Sequence, residues 1–370
     1  MNPLLTTRAP GVYLQPVPEP RSRPGGVLTA FLGDTRAGKP LRLTHWNQLP
    51  VELPGAEVCL RGAVRGFFEN GGRECWLLPD SSDAPDAERF ARWEQCIEEL
   101  GVDVLGAPTL AWRQDKARLL ELQAHLLECC ARSGCFALLD SPEGKPAPDP
   151  SGLECSSRAR RHGALYSPWV SVQDGKALRR VPPCGHVAGV YARVDTRRGL
   201  HKAPANEEVH GIVDVADKLT DAEQGPLNAR GVNCMRVFRG QGIRLWGART
   251  LSDEPDWRYI NVSRLLLSVA KALERLAQET VFEPNDQRLW AWLSRTLNGY
   301  LGELFQRGAL RGETPQAAFY VRCDSETNPP AEREQGRVLA EVGLAPVIPG
   351  EFVVLRLLQD VGGTTVAFTP

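Results

Sequence analysis

The sequence predicts an α/β fold built on a parallel sheet, and two observations carry that reading. Short apolar runs alternate with segments of helical period between residues 27 and 140, and each helical segment stops at a glycine before the next run begins. A strand, a helix and a second strand in that order pack as a crossover joining parallel strands, with helices on the sheet faces.

The first strand is "VLTAFLG", residues 27–33. Phe90, Trp93, Ile97 and Leu100 then recur at helical spacing and stop at Gly101. "VDVLGAP" reads as a short buried strand. Ala117, Leu120, Ala124, Leu127 and Ala131 mark a second helical face ending near Gly134, and "CFALLD", residues 135–140, is the next strand. Residues 141–150, rich in Pro, Gly and Asp, form a loop. Two long helices come later. Val262, Leu265, Leu266, Val269, Leu273 and Leu276 stripe the first; Leu289, Leu293, Thr296, Tyr300 and Leu304 stripe the second. Between them "FEPND" is expected to end one helix at the residue before Pro284, with Asn285 capping the next and Gly308 lying past its end.

The ends differ in kind. Residues 1–26 carry six prolines, which remove donors and fix φ, so the segment reads as an extended arm. Within it only Gly11, Val12, Tyr13, Leu14 and Gln15 have the look of a strand. At the far end "EFVVLRLLQD" is a second strand, followed by the small-residue tail "VGGTTVAFTP".

With 370 residues, 42% of them hydrophobic and 24% charged, the chain can bury more than one core. A net charge of −1 gives no basic field to recruit nucleic acid or an anionic membrane. No apolar run approaches the roughly 20 residues of a membrane span. The start lacks the layout of a secretory signal, so synthesis in the cytosol is expected. The ten cysteines include no CxxC pair, which favours buried free thiols over disulfides or zinc.

One stretch spells most of a phosphate-binding loop: Gly33, then Gly38 and Lys39. Pro40 stands where a magnesium-holding hydroxyl is needed, and "PLRLTHWNQLP" lacks the helical period that must follow. Asp140, after "FALL", resembles the strand-end aspartate of such enzymes. A nucleotide-binding enzyme at Gly33–Lys39 is therefore the alternative reading, and an adaptor with an exposed edge is a third. No G-x-S-x-G elbow occurs, and the six histidines stand in no catalytic context. Asp253, Glu254 and Asp256 precede a helix, where acids favour the positive dipole end. The basic run at 156–163 reads as a solvated loop.

Longer motifs are more specific. "GVLTAFLGDTRAGKPLRLTHWNQL", continued by "CLRGAVRGFFENGGRECWLL", resembles the contractile tail sheath proteins of phages and related injection systems. The matching positions are Gly33, Thr35, Gly38, Thr44, Trp46, Phe67, Phe68, Asn70, Gly71 and Gly72. "PPCGHVAGVYARVDTRRGLHKAPANEEVHGI", "LNARGVNCMRVFRGQGIRLWGARTLS", "DWRYINVSRLL", "FEPNDQRLW", "GALRGETPQAAFYVRCD" and "GLAPVIPGEFVVLRL" follow in family order. His201 stands where an aromatic is common, and Cys184 sits in the "PPxGH" turn.

The resemblance implies an α/β sheath domain likened to subtilisin in topology, residues 23–245, and a C-terminal α+β sheath domain, residues 246–350. An arm at residues 1–22 and a strand and arm at 351–370 complete it. It also implies a structural subunit that stacks around an inner tube and contracts, with no catalytic group, cofactor or metal. The strands exchanged between subunits would be Gly11, Val12, Tyr13, Leu14 and Gln15 at one end, and Phe352, Val353, Val354, Leu355, Arg356 and Leu357 at the other. Both strands have nothing local to pair with in the sequence pattern. Implied partners are other copies of the chain, the tube protein, and baseplate and cap proteins, with neither nucleic acid nor membrane insertion. The implied setting is a phage tail or tail-like particle.

Overall fold

A computed structural model of the protein describes residues 27–33, 38–49, 57–80, 84–112, 115–144, 148–347, 353–360 and 363–369. In chain order the strands are β1 (Thr29–Gly33), β2 (Leu41–Leu43), β3 (Cys75–Pro79), β4 (Val104–Gly106), β5 (Phe136–Asp140), β6 (Gly163–Ser167), β7 (Val170–Asp174) and β8 (Ala177–Val181). They continue as β9 (Glu207–Glu208), β10 (Asp214–Val215), β11 (Val232–Phe238), β12 (Gly242–Trp246), β13 (Phe319–Arg322), β14 (Val338–Leu344), β15 (Val353–Asp360) and β16 (Gly363–Thr369). The helices used below are α1 (Glu57–Glu69), α2 (Asp86–Leu100), α3 (Lys116–Ser133), the one-turn α4 (Ser157–Arg160), α5 (Cys184–Arg198), α6 (Asp221–Ala229), α7 (Ile260–Gln278) and α8 (Gln287–Gln306).

The principal sheet has the order β2-β3-β1-β4-β5-β6-β11-β12-β9. From β3 to β11 all neighbours are parallel, and antiparallel strands close both flanks. Side chains alternate along each strand, and so does their destination. Leu32, Leu78, Leu105 and Leu139 enter one core with Trp93 and Ile97 of α2 and Leu122 and Leu126 of α3. Phe31, Leu77, Val104 and Leu138 enter the other with Leu60 and Phe67 of α1 and Val187 and Tyr191 of α5. A sheet covered on both faces needs the near-continuous apolar strands seen in "TAFLG" and "FALLD".

The first helical face differs from expectation. Ala117 is exposed and Leu120 half-buried, while Leu119, Leu122, Leu126 and Cys129 join Ala124, Leu127 and Ala131 in the core. The helix is packed on by α2 and α4 as well as the sheet, so its buried face is wider than one stripe. Gly101 and Gly134 end α2 and α3 in the left-handed conformation, φ 64° in both, as the stops predict.

α1 and α5 are absent from the helical segments expected above. They cross so closely that a Cβ on Gly185 would stand 2.1 Å from the Ala63 carbonyl oxygen, and one on Gly189 2.4 Å from that of Phe67. Residues 184–191 of α5 are all buried, which removes the polar face that periodicity relies on.

The phosphate-loop alternative meets a strand. Gly38 has φ 60° and Lys39 is exposed, and the chain continues as β2, an antiparallel edge strand, in place of a helix facing phosphates. The basic run is likewise corrected. Residues 157–160 form α4, Arg160 donates to the Leu153 carbonyl at 2.7 Å, and Arg161 pairs with Glu254 over the Trp257 ring. Those contacts are within the chain, because the acids before α7 fold back onto this loop.

Beyond residue 250 a third core joins α7 and α8 to β13 and β14 through Leu266, Leu273, Leu293, Leu297 and Val342. α7 ends at Gln278, five residues earlier than the proline implies, since Thr280 N–H and Oγ1 both turn back to the Ala277 carbonyl. Asp286, not Asn285, caps α8 by accepting from the N–H groups of Arg288 and Leu289. Asn285 serves elsewhere, accepting from Trp290 Nε1 at 2.9 Å and donating to the Arg337 carbonyl.

Candidate assembly site

The C-terminal sheet is antiparallel throughout, in the order β13-β14-β15-β16. Val338, Ala340, Val342 and Leu344 alternate inward from β14 onto the helices. Gly343 leaves room for Tyr320, whose ring lies where a Cβ would be, 2.0 Å away, and whose hydroxyl donates to Glu341 at 3.2 Å. Where β13 stops, the buried Asn328 side chain takes over the edge of β14. It accepts from Leu339 N–H at 2.6 Å and donates to the Leu339 carbonyl at 2.9 Å.

The C-terminal strand forms as read, over residues 353–360, but it has local partners. Val353, Val354, Leu355, Arg356 and Leu357 lie opposite Leu344, Gly343, Val342, Glu341 and Ala340 of β14. Residues read as a small-residue tail form β16 on the other side. The expectation of a strand without a local partner is thereby corrected. The pairing joins β14 to a strand nine residues further on, which no local pattern reveals. Among the described residues, β13 and β16 each pair along one edge only. Gly11, Val12, Tyr13, Leu14, Gln15 and Phe352 lie outside the described residues.

The sheet is carried by a helix pinned to the α/β body. Arg264 of α7 forms a buried bidentate pair with Asp195 of α5 and lies 4.5 Å from the Tyr191 ring centroid. Lys271 donates to Asp103 and to the Val102 carbonyl, both at 2.8 Å. Asn261 donates to the His201 carbonyl and Ser263 Oγ to that of Arg161.

Asp140, read as a possible magnesium ligand, is buried and accepts the Cys184 N–H at 2.8 Å through Oδ1. It caps α5, where Pro183 offers no side-chain acceptor. Burial pushes its pKa up to about 7, against the hydrogen bonds from Cys184. Among the described residues no group of three or more His, Cys, Asp and Glu is placed to hold a metal. Nine of the ten cysteines are buried, and burial pushes the thiols of Cys59, Cys234 and Cys323 up to about 12, far from a reactive thiolate. Among the described residues no helix is long and apolar enough to cross a membrane.

Residues 86–251 match the family model of the phage tail sheath protein central domain, and residues 252–358 that of the phage tail sheath C-terminal domain. The tail sheath protein of Burkholderia phage BcepMu is 28% identical over 227 residues, 56% of this chain and 46% of that protein. A putative prophage major tail sheath protein of Pseudomonas aeruginosa is 26% identical over 195 residues, 50% of this chain and 48% of that one. The chain spans about half the length of these relatives. The helical sheath of the anti-feeding prophage in its contracted state is 31% identical, with a TM-score of 0.74 over 96% of this chain and 100% of that one. The contracted PVC sheath of an extracellular contractile injection system is 28% identical, with a TM-score of 0.70 over 96% and 99%.

Proposed function

This chain belongs to the phage tail sheath protein family, and on that premise we propose that it is a structural subunit of a contractile sheath. In this reading copies polymerise around an inner tube and contract to drive it through a target envelope, as part of a phage tail or tail-like particle. The partners are further copies, the tube protein, and baseplate and cap proteins. No catalytic step and no nucleotide are involved; a metastable extended array relaxes to a tighter one. Residues 1–22 and 351–370 act as arms on a body of residues 23–245 and a second domain of residues 246–350.

The observation that supports this best is the β14–β15 ladder of seven residue pairs, Val338 opposite Gln359 through Leu344 opposite Val353. If β15 of one copy lies on β14 of another, the same ladder forms between subunits, so exchange conserves its hydrogen bonds. Each is worth about 1 kcal/mol net, which is enough for several together to hold neighbours while the bodies rotate. The strand at Gly11 to Gln15 would add to a remaining free edge in the same way.

Electron microscopy of the purified full chain tests the reading. Rings or tubes of uniform diameter are expected. A monodisperse monomer across a wide concentration range would count against it.

A further inference from the structure

The connection between α7 and α8 places an aromatic side chain where a glycine is the ordinary choice. Glu283 N–H closes a turn on the Thr280 carbonyl at 3.1 Å, and Phe282, the third residue of that turn, has φ 73°. Only it and Asn206 among the described non-glycine residues have positive φ. A bulky side chain there is strained. Among the described residues nothing covers the Phe282 ring, which is fully exposed beside the exposed Val281. The turn is nonetheless firmly held, through Asn285 on one side and Thr280 on the other. Strain and full exposure of a phenyl ring on a fixed turn point to an anchor for a partner.

The molecule also carries a matching recess. A groove of about 310 Å³ lies between α1 and the β7–β8 hairpin, with Trp46, Val58, Val172 and Val181 supplying its apolar wall. Arg61, Arg65 and Arg179 line it as well. Arg65 donates to the Gln173 carbonyl and lies 5.5 Å from the Trp46 ring centroid. Arg65 and Arg179 already hold Glu69 and Asp174, so a further carboxylate would join an existing network. The charges are complementary. Residues 279–286 contain Glu279, Glu283 and Asp286 and no base, whereas the hairpin at 174–181 contains Lys176, Arg179 and Arg180, with Asp174 on Arg179 and Glu143 on Arg180.

Knob and groove lie toward opposite ends of the parallel strands. The groove's Val181 stands three residues before Cys184, whose N–H is bonded to Asp140 at the carboxyl end of β5. Phe282 follows α7, whose Lys271 is bonded to Val102 and Asp103 just before β4, at the amino ends. A contact between two such features is heterologous: it repeats from copy to copy without closing on itself.

We propose that Phe282 of one copy seats in the groove between α1 and the β7–β8 hairpin of a second copy, with Glu279 and Glu283 against its arginines. The proposal rests on the sheath reading and adds to it a head-to-tail contact distinct from the terminal arms.

Pairs of introduced cysteines test it in the full chain. Under mild oxidation, Phe282→Cys combined with Val58→Cys should give a ladder of disulfide-linked oligomers. Phe282→Cys mixed with Val58→Cys should give only dimers, and neither alone should exceed the wild-type background. Linkage of Phe282→Cys to itself, or no linkage from the double variant, overturns the contact, including the case in which Phe282 serves a different protein. Microscopy of the wild-type chain reads the sheath proposal separately: tubes without the ladder leave the sheath and remove this contact, and a ladder without tubes does the reverse. Phe282→Gly gives a second arm. Losing a buried phenyl should weaken each contact by about tenfold to a hundredfold, while relief of strain leaves the melting temperature unchanged or raised by about 2 °C. Normal tube yield from Phe282→Gly also overturns the contact.

Discussion

Arg264 on α7 and Asp195 on α5 are joined side by side in the interior, with Nη1 at 3.0 Å from Oδ1 and both side chains almost wholly out of water. The pair ties the helix that carries the terminal sheet to the α/β body. Removing one member strands the other. Asp195→Ala should therefore cost about 3–5 kcal/mol, measured by urea unfolding. Replacing both with apolar residues of similar volume should recover much of that loss. A small effect of Asp195→Ala would mean that water reaches Arg264 and that the two parts are only loosely joined.

Three buried groups, Asp140, His186 and His162, make stability depend on pH with opposite signs over the same range, about pH 4 to 7. Asp140 is raised by burial, to about 7 from 3.8, so its contribution is full below 3.8 and lost as pH rises through about 7. His186 is lowered by burial, and further by the charge of Arg65, to about 4 from 6.5. Its contribution is present above 6.5 and lost as pH falls through about 4, and His162 follows the same course because burial also lowers it to about 4. Asp140→Asn should steepen the fall of unfolding free energy between about pH 6.5 and 4, because it removes the one contribution that opposes the two histidines there. A slope identical to wild type over that range would place the Asp140 carboxylate in water.

Glycines sort into two classes that a single substitution separates. Gly185→Ala puts a methyl group 2.1 Å from the Ala63 carbonyl oxygen, part of a backbone that cannot swing aside, and should cost about 3 kcal/mol or more. Gly299 and Gly302 in α8 have nothing within 4 Å of an added Cβ, and alanine at each should stabilise by about 0.5–1 kcal/mol. Thermal melts of the three variants decide it. Equal shifts would mean that α1 and α5 do not touch as described.

The same close crossing explains what the sequence hid. The β4–α3–β5 unit was legible because α2 and α3 keep one wet face and end at Gly101 and Gly134. α5 was not, since residues 184–191 are buried on every side; α1 does carry a buried stripe, Cys59, Leu60, Ala63, Val64 and Phe67, which the sequence displays and which was missed. The cap of α8 was misplaced by one residue because Asn285 and Asp286 are equally suited to it, and only the Arg337 carbonyl and Trp290, remote in the pattern, claim the asparagine. At the candidate site, Val353 to Leu357 were correctly read as a strand, but its partner is fixed by tertiary pairing with β14. The strained turn at Phe282 left no signal, as Val-Phe-Glu has none of the residues that announce a positive φ.

The terminal strands carry the central claim, and deleting residues 1–20 tests it most directly. Thermal melting and electron microscopy are to be read on the same sample. If the arm serves neighbouring subunits, the shortened chain stays soluble, melts close to the full chain and forms no long tubes. Tubes of full length at normal yield from the shortened chain would contradict the account.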